Sequence, residues 1–283
     1  MKNFDNYLKN KKTIKDTLSI DKAHMFCKLF KNNIDSNLFI KKKLLPFGWH
    51  WLYFPENLPL ESIGVDGHPK RGDFFPTLNG CKRMFAGSEI FFLNKVFLNN
   101  QASKTSQIKN IENKSKNNRK LFFITVKNIF KVKNKKVLIE NQKIVFVDQD
   151  YKSKKKIIEN NDGYKILFKK KFCFNNIMLF RYSSITYNSH RIHYDIDYTK
   201  KEEGYNNLLV HGPLLASHAL EQLSFIKNID LDFFEFKMLK PVFVNEEITL
   251  KVLKDIVHKK KFKVTMVNKY SNELKFIATC NNK

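Results

Sequence analysis

The chain of 283 residues has few cysteines and no long apolar run, and each shortage excludes a class of protein. Its four cysteines lie far apart without a CxxC pair, which excludes the usual spacings of a zinc site. Isolated thiols of this kind are typical of a reduced, intracellular protein. The longest uncharged apolar stretch, LLPFGWHWLYF at 44–54, is too short to span a bilayer, so no membrane insertion is expected.

Arginine is also scarce, because only five of the 52 basic residues are Arg although the net charge is +25. Lysine is spread along the whole chain, with no recognition-helix pattern and no aromatic run of the RNA-binding kind. Nucleic acid is therefore not expected as a partner, and an RNA-binding protein is kept only as an alternative from another class. A basic surface equally suits a substrate that carries several phosphates.

Signals for cofactors and for targeting are absent as well. There is no GxGxxG after a strand and no P-loop, so we expect no cofactor, and we also expect no metal. The first residues lack the apolar segment of a secretory signal, and Asp5 and Asp16 without any Arg argue against a mitochondrial presequence. We predict a cytoplasmic protein, or a mitochondrial matrix protein if the source is a fungus.

The patterns that are present predict two tandem units, each a helix followed by strands. In the first unit we expect a helix over 18–30 capped by Ser19 or Asp21, an exposed hairpin loop over 99–119, and strands over 84–97, 120–132 and 136–148. Residues 151–165 form the candidate linker. The second unit has a buried helix over 210–226, followed by about four strands.

Two further segments of the first unit attract attention. Trp49, Trp51 and Tyr53 alternate with smaller residues, which predicts a strand with one aromatic face packed into the core. The polar, turn-rich segment DGHPKRGDF carries Lys70 and Arg71, and we predict that it lies over a substrate.

Two stretches of the second unit carry chemistry: SSITYNSHRIHYD at 183–195 and LLVHGPLLAS at 208–217. Gly212 and Pro213 open the predicted helix, whose unpaired first amides favour developing negative charge. Such a helix start is a ready oxyanion hole, although it is also a conventional start for a buried helix. His193, 19 positions earlier, is suited to take and return a proton near neutral pH.

The order and spacing of these stretches resemble the MaoC-like hotdog enoyl-thioester hydratases. Their motif reads roughly S-G-D-x-N-P-L-H and then V-H-G-hydrophobic-L-hydrophobic-A-S. The form N-x-HRIH-[YW]-D, EGY and HGP is similar to one branch: the mesaconyl-C4-CoA (3-methylfumaryl-CoA) and itaconyl-CoA hydratases and the fungal hydroxyacyl-thioester dehydratases of type 2. GWHWLYF, GVDGHPKRGDFFP and RMFAGSEIFF match the first half, so the resemblance covers most of the chain from about residue 13.

The resemblance implies roles for individual residues. His193 takes the place of the catalytic His, Asn188 falls where most members carry the catalytic Asp, and the Gly212 amide helps to bind the thioester oxygen. The usual Asn-Pro is replaced here by His190-Arg191. We therefore assign His193 as the only base, with Asn188 orienting the water.

Other residues are expected to bind the substrate. The predicted substrate-binding residues are His190, Arg191, His211, Tyr205 and Arg71. For Arg191 the alternative is a surface Arg beside a structural His. Asp195 either holds the His193 imidazole or caps a turn, Glu203-Gly204-Tyr205 is expected to cover the thioester tunnel, and Arg83 is a further candidate.

These observations together predict an α+β double hotdog with a non-catalytic hotdog over 1–155 and a catalytic hotdog over 156–283. The expected enzyme is a hydro-lyase acting on an enoyl-CoA, with mesaconyl-C4-CoA to citramalyl-CoA as the preferred reaction. The alternatives are a 3-hydroxyacyl-thioester dehydratase of mitochondrial-type fatty acid synthesis and a non-catalytic thioester-binding hotdog. The expected partner is an acyl-CoA or an acyl-carrier-protein thioester, and the chain is a possible homo-oligomer.

Overall fold

A single antiparallel sheet of ten strands organises the part of the chain that the computed structural model describes, residues 4–30, 39–117, 119–151, 156–226 and 229–283. Its strands are β1 (Lys11–Thr17), β2 (Cys81–Phe92), β3 (Gln101–Asn113), β4 (Leu121–Val132), β5 (Lys135–Asp148), β6 (Tyr164–Phe172), β7 (Leu231–Met238), β8 (Ile248–Asp255), β9 (Lys261–Asn268) and β10 (Leu274–Asn282). The helices are α1 (Asp5–Lys9), α2 (Ile20–Cys27), α3 (Asn176–Thr186), α4 (Ile196–Lys201) and α5 (Gly212–Ser224). The predicted α+β composition is confirmed.

The strand order shows two equivalent halves. It runs β1-β3-β4-β5-β2 and then β7-β10-β9-β8-β6, so each half repeats the same order about the junction of β2 with β7. In that junction Glu89 is paired with Glu235, and Gly87–Lys237 and Phe91–Phe233 flank this pair symmetrically. A local twofold axis therefore passes between the two glutamates.

Helix α5 is the buried helix of the second half, as predicted. Every residue from Leu214 to Leu223 is buried: six are apolar, and the other four are Ser217, His218, Glu221 and Gln222, of which His218 and Glu221 pair at 3.3 Å. Each buried leucine contributes roughly 2 kcal/mol to folding. Pro213 stands in the first turn, where it costs no backbone hydrogen bond.

The predicted helix over 18–30 is confirmed as α2. Ser19 caps it, since its Oγ accepts a hydrogen bond from the Asp21 amide at 3.1 Å. The predicted strand at 49–53 is wrong. Trp49–Leu52 is a 3₁₀ turn that follows Gly48, whose φ of +81° reverses the chain, although Trp49 does pack in the core, edge-on to Phe26.

The predicted hairpin loop over 99–119 is also wrong, because β3 fills most of it and pairs with both β1 and β4. Its buried positions include Ala102, Ser106 and Ile108, and the Ser106 hydroxyl donates to Asn128 Oδ1 at 2.6 Å. Hydrogen bonds with the neighbouring strands stabilise this polar strand, although its low apolar content did not predict a strand. The other predicted strands of both halves are confirmed.

The candidate linker lies partly outside the described residues, at 152–155, as does the predicted boundary after residue 155. Beyond it, Ile158 forms a bridge with Glu273 on the sheet. No helix in the described ranges is long and apolar enough to cross a membrane.

Candidate active site

His193 lies beside the amino end of α5, on the 3₁₀ turn Arg191–His193. Its Nδ1 lies 2.8 Å from the Leu209 carbonyl oxygen, which can only accept, so Nδ1 carries the proton. Nε2 is then the unprotonated nitrogen, free to act as a base. Burial lowers the pKa of His193 to about 4 although the Leu209 carbonyl opposes this effect, and the ring is therefore neutral at pH 7.

His211 supports His193 from behind. The two rings are stacked with centroids 3.6 Å apart, and His211 Nε2 lies 2.8 Å from Ser183 Oγ. His211 is fully buried, and burial lowers its pKa well below the usual value. Because its ring lies under the base and has no exposed surface, we assign His211 a positioning role in place of the predicted substrate contact.

Gly212 opens α5 immediately after His211, so its amide is one of the unpaired donors at the helix start. A Cβ at this position would lie 2.6 Å from Phe85 Cδ1 of the first half. Only glycine therefore fits between the helix start and β2. His193 stacks on His211, the residue directly before Gly212, so the imidazole at 193 and the amide at 212 lie near each other, and the Phe85 ring packs against Gly212.

Asn188 is engaged by the turn that carries the base. Its Oδ1 accepts a hydrogen bond from the His190 amide at 3.0 Å, in the manner of a turn cap. The Asn188 side-chain NH₂ is the group that remains to hold water. The His190 ring is buried and lies 5.4 Å from the His193 ring, so its position beside the base fits the predicted substrate contact.

Arg191 does not face the base. Its Nε and Nη2 donate to Asp195 Oδ2 at 3.0 and 2.8 Å, and Nη1 donates to the Val65 carbonyl. Asp195 in turn caps α4, accepting from the Tyr198 amide at 3.0 Å. Arg191 therefore links the loop that carries His193 to Asp195 and to Val65, which fits the alternative of a surface Arg beside a structural His, and its substrate contact stays a prediction.

The loop 64–71 of the first half packs directly on the loop 188–195, which carries His193. The Ser189 hydroxyl donates to the Gly67 carbonyl at 2.6 Å, and the Arg191 amide donates to the Asp66 carbonyl at 3.0 Å. Gly67 has φ of +85°, and a Cβ there would lie 1.8 Å from the Ser189 carbonyl oxygen. The turn-rich segment that was predicted to lie over a substrate therefore packs on the loop that carries His193.

Sequence reasoning missed His68 in this loop. Its ring centroid lies 3.9 Å from that of His190, and its Nδ1 lies 3.3 Å from Asp66 Oδ2. Burial, followed by the nearby Arg83 charge, lowers the pKa of His68 well below the usual value. The signal was present in the sequence as the only histidine in the polar loop, but sequence spacing could not bring it to His190.

Arg71 lies in the same loop, and its guanidinium hydrogen-bonds to backbone carbonyls. Its Nη1 donates to the carbonyls of Leu78 and Cys81 at 3.2 and 2.8 Å, and the guanidinium lies over the Phe146 ring. We therefore assign Arg71 to the support of this loop in place of the predicted substrate contact.

Arg83 stands differently. It precedes Phe85 by two positions on β2, so both side chains face the same side of the strand, and its guanidinium lies over the Phe75 ring at 5.5 Å. Among the described residues no carboxylate lies within 4.0 Å of its guanidinium. Desolvation lowers the pKa of Arg83 to about 10. A half-buried, charged guanidinium without a close counter-ion is suited to bind an anionic group of a ligand.

Tyr205 and Glu203 pack against the neighbouring end of β2. The Lys82 ammonium lies 4.9 Å from the Tyr205 ring centroid and donates to the Glu203 carbonyl. Burial raises the pKa of Tyr205 to about 12 and also raises the pKa of Glu203. The expected cover over the thioester tunnel stays a prediction.

One group of side chains has a spacing that would suit a metal ion. Ligand atoms of Asp66, His68 and His190 all lie within 4.8 Å of one another. Arg71 Nη2 is 4.0 Å from Asp66 Oδ2, and the Arg83 charge acts on both imidazoles. These two cations oppose the binding of a third.

Comparison with known proteins places the chain among thioester enzymes. The family model for hydroxyacyl-thioester dehydratase type 2 matches residues 48–244. Mesaconyl-C(4)-CoA hydratase of Chloroflexus aurantiacus is 33% identical over 199 residues, 70% of this chain and 71% of the relative. The mitochondrial hydroxyacyl-thioester dehydratase type 2 of Schizosaccharomyces pombe is 39% identical over 77 residues, 26% of each chain.

Solved structures agree on the fold. A MaoC-like dehydratase from Phytophthora capsici has a TM-score of 0.74 at 14% identity, covering 99% of this chain and 98% of that chain. A protein of Mycobacterium tuberculosis described as a double hotdog fold has a TM-score of 0.61 at 11% identity, covering 99% of this chain and 98% of that chain. The predicted double-hotdog fold is confirmed.

Proposed function

The chain belongs to the hydroxyacyl-thioester dehydratase type 2 family of MaoC-like hotdog proteins, and on that premise we propose that His193 catalyses the hydration of enoyl thioesters, and the reverse dehydration of 3-hydroxyacyl thioesters, at the start of α5. The observation that carries the proposal is the neutral His193 ring, held by Leu209 with Nε2 free, beside the unpaired amide of Gly212. The catalytic hotdog is then the half over 156–283, and the half over 1–155 shapes the acyl pocket.

The chemistry follows from these groups. The Gly212 amide donates a hydrogen bond to the thioester oxygen and stabilises the enolate that forms when water adds at Cβ. Nε2 of His193 takes the proton of the water while the Asn188 side-chain NH₂ orients its oxygen. The resulting imidazolium returns the proton to Cα. The pKa of about 4 makes it a strong acid for this second step and keeps the base neutral between turnovers.

Replacement of the base tests this assignment. We expect His193→Ala to lower kcat by about 10²–10⁴ with crotonyl-CoA, because general base catalysis of this kind contributes that much. The exposed His258 is the matched control, and His258→Ala should leave turnover unchanged. Near-normal turnover of the His193 variant would remove the proposal.

We further propose that the substrate carries a free carboxylate, as mesaconyl-C4-CoA does. The support is the guanidinium of Arg83, whose charge acts on His68 and His190 and which has no carboxylate within 4.0 Å among the described residues. The similarity to mesaconyl-C(4)-CoA hydratase points the same way. On this proposal the enzyme converts mesaconyl-C4-CoA to citramalyl-CoA.

The assignment of a substrate carboxylate to Arg83 is tested by the selectivity of a variant between two substrates. Arg83→Met should lower kcat/KM for mesaconyl-C4-CoA by about 10²-fold, a typical loss for a charge-assisted hydrogen bond, while leaving crotonyl-CoA within a few-fold. Arg119→Met at an exposed position is the control. Equal losses with both substrates would show that Arg83 supports the fold or the thioester, and the carboxylate assignment would be withdrawn.

The second candidate substrate is a 3-hydroxyacyl group on an acyl-carrier protein. The match of 39% identity over 77 residues with the fission yeast mitochondrial enzyme favours it. A higher kcat/KM with crotonyl-acyl-carrier protein than with any CoA thioester would select this alternative.

A further inference from the structure

A cavity opens near the end of β2 that is remote from His193. It has a volume of about 580 Å³, within the range of about 300–1,000 Å³ that small-molecule sites occupy. Phe92 of β2 and Leu138 of β5 contribute to its wall, whereas the catalytic site meets β2 at Phe85. Seven residues of strand separate Phe85 from Phe92, which corresponds to about 23 Å.

The twofold axis of the sheet relates this cavity to the catalytic site. Arg83, whose charge acts on His68 and His190, lies six residues before Glu89 on the axis. Ile229 lies six residues before Glu235 and lines the cavity. The cavity is therefore where a second catalytic site would lie if the first half had kept the loop and helix start of the second half.

The cavity wall contains one buried polar side chain with an unpartnered nitrogen. His50 is 5% exposed, and its Nδ1 has no hydrogen-bond partner in the described part of the chain. Its ring packs against Phe130, and its Nε2 is 3.6 Å from Glu140 Oε2. Buried polar atoms normally have partners, so Nδ1 is available to hydrogen-bond a polar atom of a bound molecule.

The remaining surface defines the rest of the ligand. The wall is apolar, with Phe47, Phe54, Val96, Val132 and Val137 among its residues. Four lysines also line it (Lys42, Lys95, Lys131 and Lys283), against one carboxylate, Asp230, which is paired with Lys283. An apolar body thus fits inside, and an anionic group fits at the exposed lysines.

We infer that this cavity is a second, non-catalytic binding site for an acyl chain with an anionic head group and an oxygen that His50 can contact. A free fatty acid and an acyl-CoA share this chemistry. The inference stands independently of the reaction at His193, because no residue of the catalytic site lines the cavity.

Calorimetric titration with decanoate and with decanoyl-CoA tests the inference and separates the two sources. We expect His193→Ala protein to bind decanoate, decanoyl-CoA or both, and the tighter of the two identifies the source. Val96→Trp fills the cavity from a half-buried loop position, and it should abolish the binding of decanoate and lower the stoichiometry of decanoyl-CoA, which also binds at the site of residue 193. Lys42→Glu with Lys95→Glu should weaken it about tenfold, whereas the control pair Lys109→Glu with Lys165→Glu, at exposed positions of β3 and β6, should not.

The opposite results are equally clear. Absence of binding by either probe, or unchanged binding by Val96→Trp, would overturn the inference. Val96→Trp protein should also keep the wild-type rate with crotonyl-CoA. A parallel loss of binding and turnover in that variant would show that the cavity is part of the acyl path of the catalytic site, and the second site would be rejected.

Discussion

Addition of one methyl group at Gly212 should displace the oxyanion donor without removing it. The Cβ of Gly212→Ala would lie 2.6 Å from Phe85 Cδ1, whereas ordinary contacts are 3.4–4 Å. The helix start or the ring must therefore move by about 1 Å, and a misplacement of that size costs about 10²-fold in rate. The φ of Gly212 is not in the left-handed region, so the effect is steric and not conformational.

Removal of the opposing ring should restore the rate. We expect Gly212→Ala to lower kcat by about 10²-fold, which equals about 2.7 kcal/mol of transition-state stabilisation. Phe85→Ala alone is the second single variant of a double-mutant cycle, and its kcat is measured in the same assay. The double variant should recover most of the loss in kcat caused by Gly212→Ala. The assay follows the ultraviolet absorbance of the enoyl thioester as water is added.

Unfolding in denaturant must accompany the kinetics, since Phe85→Ala also removes core contacts. A kcat of Gly212→Ala equal to the wild type would refute the placement of the Gly212 amide in catalysis. If Gly212→Ala lowers kcat tenfold or more and the effects of the two substitutions on the activation free energy are strictly additive, the explanation through Phe85 is refuted.

Three further results are expected. The kcat/KM of the free enzyme should be constant from pH 8 to about pH 5 and should fall around pH 4, because burial lowers the pKa of His193 to about 4; a limb near pH 6.5 would contradict this. Gly67→Ala should lower kcat/KM far more than Gly163→Ala, since both positions have positive φ but only a Cβ at 67 meets the Ser189 carbonyl; equal effects would show that backbone strain alone is responsible. The free energy of unfolding should fall as the pH drops from about 6.5 to about 4, because the unfolded chain binds more protons than the folded chain in that window. The fall is up to about 1.4 kcal/mol per pH unit for each buried imidazole. His193→Gln should reduce the dependence on pH of the unfolding free energy measured in denaturant.

The motif that carries the base could be predicted because it is local and contiguous. NSHRIHYD and VHGPLLAS lie within about thirty residues, and their residue types match the chemistry of a base and an oxyanion hole. Strands with alternating β-branched and aromatic residues were equally evident. Strand β3 was not, because Ser, Thr, Gln and Asn fill it and its stability depends on neighbours β1 and β4.

The assignment of each arginine needed the tertiary structure. Arg71 and Arg191 are bound by backbone carbonyls and by Asp195, while Arg83 lies over the Phe75 ring with no such partner in the described ranges, and no sequence pattern separates these cases. His68 likewise reaches His190 only because the loop 64–71 folds across from the other half.

Sequence alone determined which residues can exchange a proton and which helix can bind an oxyanion, since those properties belong to side-chain type and to local backbone. The tertiary structure decided the tautomer of His193, the burial that lowers its pKa, and the cavity at the opposite end of the sheet. These depend on contacts between residues far apart in the chain, which hydrophobic periodicity does not encode.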